Sequence, residues 1–403
     1  MIGSKLNPIK EMSEYTWPEG FFSDGLHAGL KPSKKDLGWI YSETPAAAAG
    51  VYTTNQFQAA PTKLMKETIA KNHTLQAIVM NSGNANSCTG VQGMQDALKM
   101  RALTSEKLHV ASDLVGVAST GIIGEKLPMD VIESGIDQLS LSKSTAVTEA
   151  VLTTDQHTKT ISLQFKVDSH PVIISGFAKG SGMIHPNMAT MLGFVTTDAN
   201  IDGQLLQDLL SQEVDETFNQ ITVDGDTSTN DMVVVLANGQ ASSTKLDPTH
   251  KDYATFVAAL HQVLAFLAKS IAQDGEGASK LLEVNVINAV THQEAQIAAK
   301  AIVGSNLVKV AIFGQDPNWG RLMGALGQTS VHFDVAHVSM WINGHLLVVD
   351  SQAAPIDQMV LQDNLKQDTI DIQVDLHSGT AQGQAWGCDL TYQYVKINAA
   401  YHS

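Results

Sequence analysis

At 403 residues the chain is long enough for two or three packed domains, and its 43% hydrophobic and 16% charged residues fit a globular protein with a sizeable core. Twenty-five Lys and Arg against 41 Asp and Glu leave a net charge of −16. A field of that sign repels nucleic-acid phosphates, and no basic cluster overrides it.

Cys88 and Cys388 form no CxxC pair, suggest neither a disulfide framework nor a zinc knuckle, and read as small buried or half-buried thiols. The first residues, MIGSKLNPIKEM, lack the apolar core of roughly 7–15 residues that a secretory signal carries. Nowhere do about 18 apolar residues run together. The expectation is a cytoplasmic protein without nucleic-acid or membrane partners.

Between 38 and 79, short apolar runs such as Gly50-Val51-Tyr52-Thr53 alternate with turn residues and predict strands. Helices are predicted over 93–108 and 129–141, the second with Pro128 where a first helical turn tolerates it. Partial alternation over 161–167 and 172–175 predicts a half-buried hairpin. The two clearest helices are 203–218 and 253–273. The second carries Phe256, Leu260, Val263, Leu264, Leu267 and Ile271 at helical spacing, a core stripe rather than a cofactor groove. Beyond 281 the pattern predicts a strand (282–287), a helix (293–303), a strand (308–313) and a hairpin of 338–342 and 345–349 around Asn343-Gly344. A domain boundary is placed near residue 285. The mixture makes the chain α/β or α+β, and the patterns leave open which.

The densest punctuation lies in Lys179-Gly180-Ser181-Gly182-Met183-Ile184-His185-Pro186-Asn187-Met188-Ala189-Thr190-Met191-Leu192. Glycines followed by Pro and Asn mark a tight loop entering a new element. Neither GxGxxG nor GxxxxGK[ST] is completed, so a nucleotide cradle is not indicated. Taken alone, Thr190 is a threonine opening an apolar run, and Lys179 and Glu276 are solvated loop charges.

The whole string, however, resembles the cleavage motif of the ornithine acetyltransferase family. Other strings resemble further elements of the same family: Ala28-Gly29-Leu30-Lys31 and Asn55 with Ala59-Ala60-Pro61 its opening elements, and Asn81 to Asn86 its NSGNAN element. Ser119-Thr120-Gly121, with Gly124, is similar to the family's STGxIG loop. Asp274-Gly275-Glu276-Gly277 continuing to Lys280, Asp316-Pro317-Asn318-Trp319-Gly320-Arg321, and the terminal Asn398-Ala399-Ala400-Tyr401-His402-Ser403 complete the set in the family's order. Ser279 and Ser403 stand where Thr is common, and Ala400 and His402 where Asp and Arg are frequent. The two serines keep the hydroxyl.

The resemblance implies a chain cut between Ala189 and Thr190. Its architecture would be the DmpA-like α/β fold shared with self-cleaving aminopeptidases, organised as 1–189, 190–285 and a smaller C-terminal α/β domain, 286–403. Thr190 would be the nucleophile with its own α-amine as base, and Thr120 and Gly121 the oxyanion hole. Thr153, Lys179, Thr190, Glu276, Asn398 and Ser403 would bind substrate. The implied reaction carries acetyl from N-acetyl-L-ornithine to L-glutamate in arginine biosynthesis, with acetyl-CoA as an optional co-substrate, no cofactor and no metal, in an α2β2 heterotetramer. A Thr hydroxyl needs a base, and a freed α-amine titrating near about 7.7–8.0 suits that task. Two rivals stay open: an aminopeptidase or amidase that uses water as acceptor, and an uncleaved, non-enzymatic relative.

The remaining candidates carry less. Asp224, Asp226 and Ser228 open like a calcium loop, but Thr229 and Val235 occupy positions that require Gly and Glu. A hydrogen-bonded loop near the active site, or plain structure, is the reading. Asp155-Gln156-His157 reads as a surface polar loop, and Trp319 as packing or capping a helix start. The 14 histidines lack metal-ligand spacing.

Overall fold

The computed structural model describes residues 6–185, 191–355 and 358–400. Two mixed sheets organise it. The first has nine strands, eight of them in the order Lys10–Glu11, Lys159–Val167, His170–Lys179, Leu192–Thr197, Met232–Ala237, Leu37–Tyr52, Thr74–Asn84 and Val115–Ile122. The ninth, Phe21–Leu26, pairs with the first half of Leu37–Tyr52. The sheet combines parallel and antiparallel ladders, so the fold is mixed α/β.

Helices cover both faces, which is why the central strands read as continuous apolar runs instead of alternating ones. Every residue of Leu192–Thr197 and of Met232–Ala237 is buried. On one face the helix Tyr253–Gln273 lays Phe256, Leu260, Val263, Leu264, Leu267 and Ile271 into the core beside Gly203–Glu216. Among the described residues it is the one unbroken helix long and apolar enough to cross a bilayer, and its stripe is spent on this packing. The helices Ala60–Asn72, Gly90–Leu108 and Met129–Gln138 cover the other side, with Met65, Met100 and Ile136 inside.

The second sheet runs Ile221–Thr222, Ala381–Cys388, Leu281–Ala289, Thr369–Asp375, Ser339–Ile342, His345–Val349, Gln352–Ala353. The helix His292–Gly304 packs across it through Ala295, Ala298, Ala299, Ile302 and Val303. Its hairpin turns at Asn343 and Gly344, both at positive φ (47° and 77°), as the Asn-Gly pair predicts. Residue 285 lies inside the strand Leu281–Ala289.

Several elements differ from expectation. Residues 308–313 belong to a helix, Asn306–Phe313, not a strand. Ser305 caps it by accepting from the Val308 N–H, and Val308 and Ile312 reach the second core. Helix 203–218 stops at Glu216, where Thr217 leaves helical geometry and a 3-10 turn, Phe218–Gln220, follows. Pro128 is the N-cap of Met129–Gln138, one place before the first turn. Cys388 is buried, but Cys88 is exposed, in a turn where its φ is 58°.

Candidate active site

The strand His170–Lys179 ends by placing Lys179 beside Thr120, near the end of Val115–Ile122; Lys179 Nζ donates to Thr120 Oγ1 at 3.3 Å. Gly121 follows with φ 134°, and a Cβ there would lie 2.3 Å from the Gly83 carbonyl carbon. Only glycine lets the two strand ends approach so closely.

Beyond Lys179 the chain turns back against the loop after Tyr253–Gln273. The Glu276 N–H donates to Ser181 O at 2.8 Å, and the Glu276 carboxylate fills the space beside Gly182. A Cβ on Gly182 would stand 2.4 Å from Glu276 Cδ. From the helix Tyr392–Ala400, Asn398 Nδ2 donates to Glu276 Oε2 at 2.8 Å. Asp224 holds the loop from beneath, accepting from the N–H groups of Met183 (2.6 Å) and Ile184 (2.8 Å). The acidic turn read from the sequence as a hydrogen-bonded loop does just that.

Thr120, Gly121, Thr153, Lys179, Glu276 and Asn398 line one cavity of about 150 Å³ with Thr154, Gly182, Met183 and 228–230. The structure thus brings together every expected site residue that it describes. Ala189, Thr190 and Ser403 lie outside the described residues. The nearest described neighbour of Thr190 is Met191, whose carbonyl accepts from the Met232 N–H at 2.8 Å.

Two readings of isolated residues need correction. Lys179 and Glu276 are not solvated loop charges: both are over nine-tenths buried. Asp155 is not a surface residue either. Its carboxylate takes Lys159 Nζ (2.7 Å), the Gly180 N–H (2.6 Å) and the Thr153 N–H (3.0 Å), and Lys159 also bridges to Asp274 at 2.5 Å. Burial opposes that charge, but Lys159, Lys179 and the Gly180 N–H together hold the Asp155 carboxyl well below the ordinary range. The arrangement clamps both ends of the Thr153 and Lys179 walls.

Asp231 behaves in the opposite way. It is fully buried just past 228–230, and its Oδ2 has no hydrogen-bond partner among the described residues. Burial drives its carboxyl well above the usual range, against a hydrogen bond from Ser228 and the charge of Lys179. Sequence reasoning missed this residue along with Thr154 and Asn230. The signals available were the nearness of Asn230 and Asp231 to the acidic turn at Asp224 and that of Thr154 to Thr153.

Elsewhere, Asp168, His250 and Asp252 are grouped closely enough to hold a cation. Their oxygens are already spent on Lys251 (2.8 Å), Thr244 (3.1 Å) and Asn7 (2.8 Å), so the donor set makes no case for a metal. Ser279 ties its loop to Asp389 Oδ2 at 2.5 Å. Asn318 caps the helix Trp319–Gly327, and Trp319 packs on the second core.

Residues 23–403 match the ArgJ family. Arginine biosynthesis bifunctional protein ArgJ of Lactiplantibacillus plantarum is 61% identical over 393 residues, 98% of each chain. The chain belongs to the ArgJ family. The protein of the same name from Listeria monocytogenes is 54% identical over 388 residues, 96% of this chain and 98% of that one. The crystal structure of arginine biosynthesis bifunctional protein ArgJ from Bacillus halodurans aligns at 51% identity with a TM-score of 0.52, covering 53% of this chain and 100% of that one. As an ArgJ family member the chain carries its motif strings on the cavity wall: Thr120-Gly121, Lys179 with Gly182, Glu276 and Asn398 come from four distant stretches.

Proposed function

We propose that this ArgJ family member transfers acetyl from N-acetyl-L-ornithine to L-glutamate through an acetyl-Thr190 intermediate, after cutting itself between Ala189 and Thr190. The observation that carries the reading is the meeting of Lys179, Glu276, Thr153 and Asn398 with Thr120 and Gly121 in one small cavity. A volume of about 150 Å³ suits an amino-acid-sized ligand. One buried cation and one buried anion suit an α-carboxylate and a side-chain ammonium.

In the self-cleavage, Thr190 Oγ attacks the Ala189 carbonyl and the Ala189–Thr190 C–N bond breaks, which leaves an ester on Oγ and frees the Thr190 amine. Water then hydrolyses the ester to the Ala189 carboxylate and the free hydroxyl. That amine then takes the hydroxyl proton as Oγ attacks the acetyl carbonyl of the donor. The oxyanion is held by the Thr120 hydroxyl and the Gly121 N–H, and the proton passes to the departing ornithine amine. Glutamate attacks the acetyl ester with its free amine, returning the Oγ proton through the same amine. Lys179 Nζ on Thr120 Oγ1 supports this role, since the donated hydrogen bond leaves the Thr120 proton free to point into the cavity. Residues 190–403 make up 53% of the chain, the share that the solved B. halodurans chain matches from end to end, which supports two separate fragments.

The description of the relatives as bifunctional supports acetyl-CoA as a second donor. An α2β2 assembly and a cytoplasmic location belong to the same reading. Intact mass and a donor screen test it. The protein is expected as fragments of 189 and 214 residues that form N-acetylglutamate from acetylornithine and glutamate. Thr190→Ala is expected to stay whole at 43.1 kDa and inactive. Release of acetate alone would instead indicate an amidase, and an active uncut chain would overturn the mechanism.

A further inference from the structure

The acidic turn at Asp224 takes no part in the chemistry described above, yet it grips the chain just ahead of the proposed cut. Three consecutive residues, Met183, Ile184 and His185, are held on it. The Asp224 carboxylate accepts from the N–H groups of the first two. Ile184 O accepts from the Val223 N–H at 2.7 Å and from Thr222 Oγ1 at 3.2 Å. With its proton spent there, Thr222 Oγ1 accepts from His185 Nδ1 at 2.9 Å. Thr227 Oγ1 donates to His185 O at 2.9 Å. Met183 stands at φ 57°, a conformation that a residue with a side chain keeps where its surroundings fix it.

The turn is anchored in its own right. Ile221–Thr222 runs beside Trp386 and Gly387 in the second sheet. Asn55 Nδ2 donates to Thr227 O at 2.8 Å, and Tyr394 Oη to Asp224 Oδ2 at 3.3 Å. Lys309, 1% exposed, spends its ammonium on Val223 O at 2.6 Å, with Cys388 Sγ 3.6 Å away. Taking an ammonium out of water for a carbonyl and a thiol costs stability, so this anchor is better explained by where it puts the turn. Beyond the cut the chain is fixed as well: Met191 O accepts from the Met232 N–H, and Leu192 is laddered to Lys179. Ala189 is four residues after His185, and Thr190 is one before Met191. An attack within one chain gains rate when both approaches to the reacting atoms are held.

We propose that the turn 222–227 positions the chain for self-cleavage, with Asp224 and Thr227 as positioning residues that hold the approach to Ala189 while Thr190 Oγ attacks. The proposal rests on the self-cleavage reading given above. It assigns the two residues to the single event of processing and not to acetyl transfer. After the cut their contacts hold residues near the end of the earlier fragment, and neither Thr227 nor His185 lines the cavity proposed to take substrate.

The test follows newly made protein over time, by denaturing gel and intact mass, in wild type, Thr227→Val, Thr227→Ser and Asp224→Asn. Val keeps the shape of Thr and removes the donor to His185 O, whereas Ser keeps that donor. Asn keeps one acceptor oxygen, so one of the two N–H groups loses its partner. The 43.1 kDa chain is expected to persist about fivefold longer or more in Thr227→Val and Asp224→Asn. Thr227→Ser is expected to restore cutting to near the wild-type rate. Once cut, Thr227→Val should keep kcat, and KM for acetylornithine, within about twofold of wild type. Either Val or Asn is decisive if the other does not fold. Wild-type processing in the variants that fold overturns the proposal. So does a kcat per cut Thr227→Val molecule that falls by the same factor as its cleavage rate. A wild-type protein that never cuts itself overturns the self-cleavage reading instead, and shows this before any substitution is made.

Discussion

Asp155 and Asp231 are buried carboxylates that both feel Lys179, yet their carboxyls are displaced in opposite directions, because Asp155 collects more donors than Asp231 does. Asp155 receives two N–H groups and a lysine; Asp231 Oδ2 has no hydrogen-bond partner among the described residues. The consequences for stability follow from proton linkage. The Asp155 carboxyl titrates lower in the folded protein than in the unfolded chain, so its contribution is present above about pH 4 and is lost only in stronger acid. The Asp231 carboxyl titrates higher when folded. The unfolded chain releases that proton above about pH 4 while the folded one keeps it, so stability falls as pH rises from there toward the folded value. Asp231→Asn removes the titration. Thermal unfolding of both proteins at a series of pH values is expected to show a Tm gain for the variant that is smallest near pH 4 and grows toward neutrality. A pH-independent difference would mean that Asp231 is ionised in the fold. Neither displacement was legible in the sequence. Lys159 lies four places from Asp155, but its other partner, Asp274, is far along the chain, and burial is a property of the packing. Lys179, Glu276 and Asn398 likewise have no mutual spacing to read, and only the motif strings marked them.

Elements with a complete local signal were legible, and those whose identity depends on packing were not. Tyr253–Gln273 shows its stripe in the sequence, and Asn343-Gly344 dictates a hairpin turn whatever surrounds it. Val308 to Phe313, by contrast, is a short apolar run that fits strand or helix equally well. Ser305 as N-cap was the available clue, and the second sheet decides the outcome by accepting Val308 and Ile312 at helical spacing. The same sheet depends on a device that the sequence hides. Gly383, in Ala381–Cys388, lies under the helix His292–Gly304, where a Cβ would stand 2.6 Å from the Gln296 backbone nitrogen. The other close atoms are the Ala295 carbonyl carbon and Cβ, so no flexible side chain is there to move aside. Gly383→Ala is therefore expected to lift the helix and cost about 1–3 kcal/mol in denaturant unfolding. An unaltered midpoint would show that the helix-to-sheet contact is looser than described.

At the scale of the whole molecule, the proposed cut falls where the fold tolerates it. Lys179 and Leu192 are paired neighbours on adjacent antiparallel strands, so residues 180–191 connect two strands that remain laddered to each other whether or not the connection is intact. Beyond that point the two fragments interlock. Leu192–Thr197 and Met232–Ala237, both after residue 190, lie side by side between His170–Lys179 and Leu37–Tyr52, both before it. The helix Tyr253–Gln273 of the later fragment also packs over the earlier fragment's Phe165 and Ile174. Separating the fragments would expose two fully buried strands on both edges and much of the larger core, which is an unfolding event and not a dissociation. The processed protein is therefore expected to elute as one species carrying both fragments under native conditions, with or without reductant. The fragments should part only through the same cooperative transition, in urea, that removes the secondary structure. Residues 190–403 expressed alone should fail to fold, because their two central strands lack both outer neighbours. Fragments that separated by native chromatography, or a later fragment stable in isolation, would contradict the strand order on which this rests.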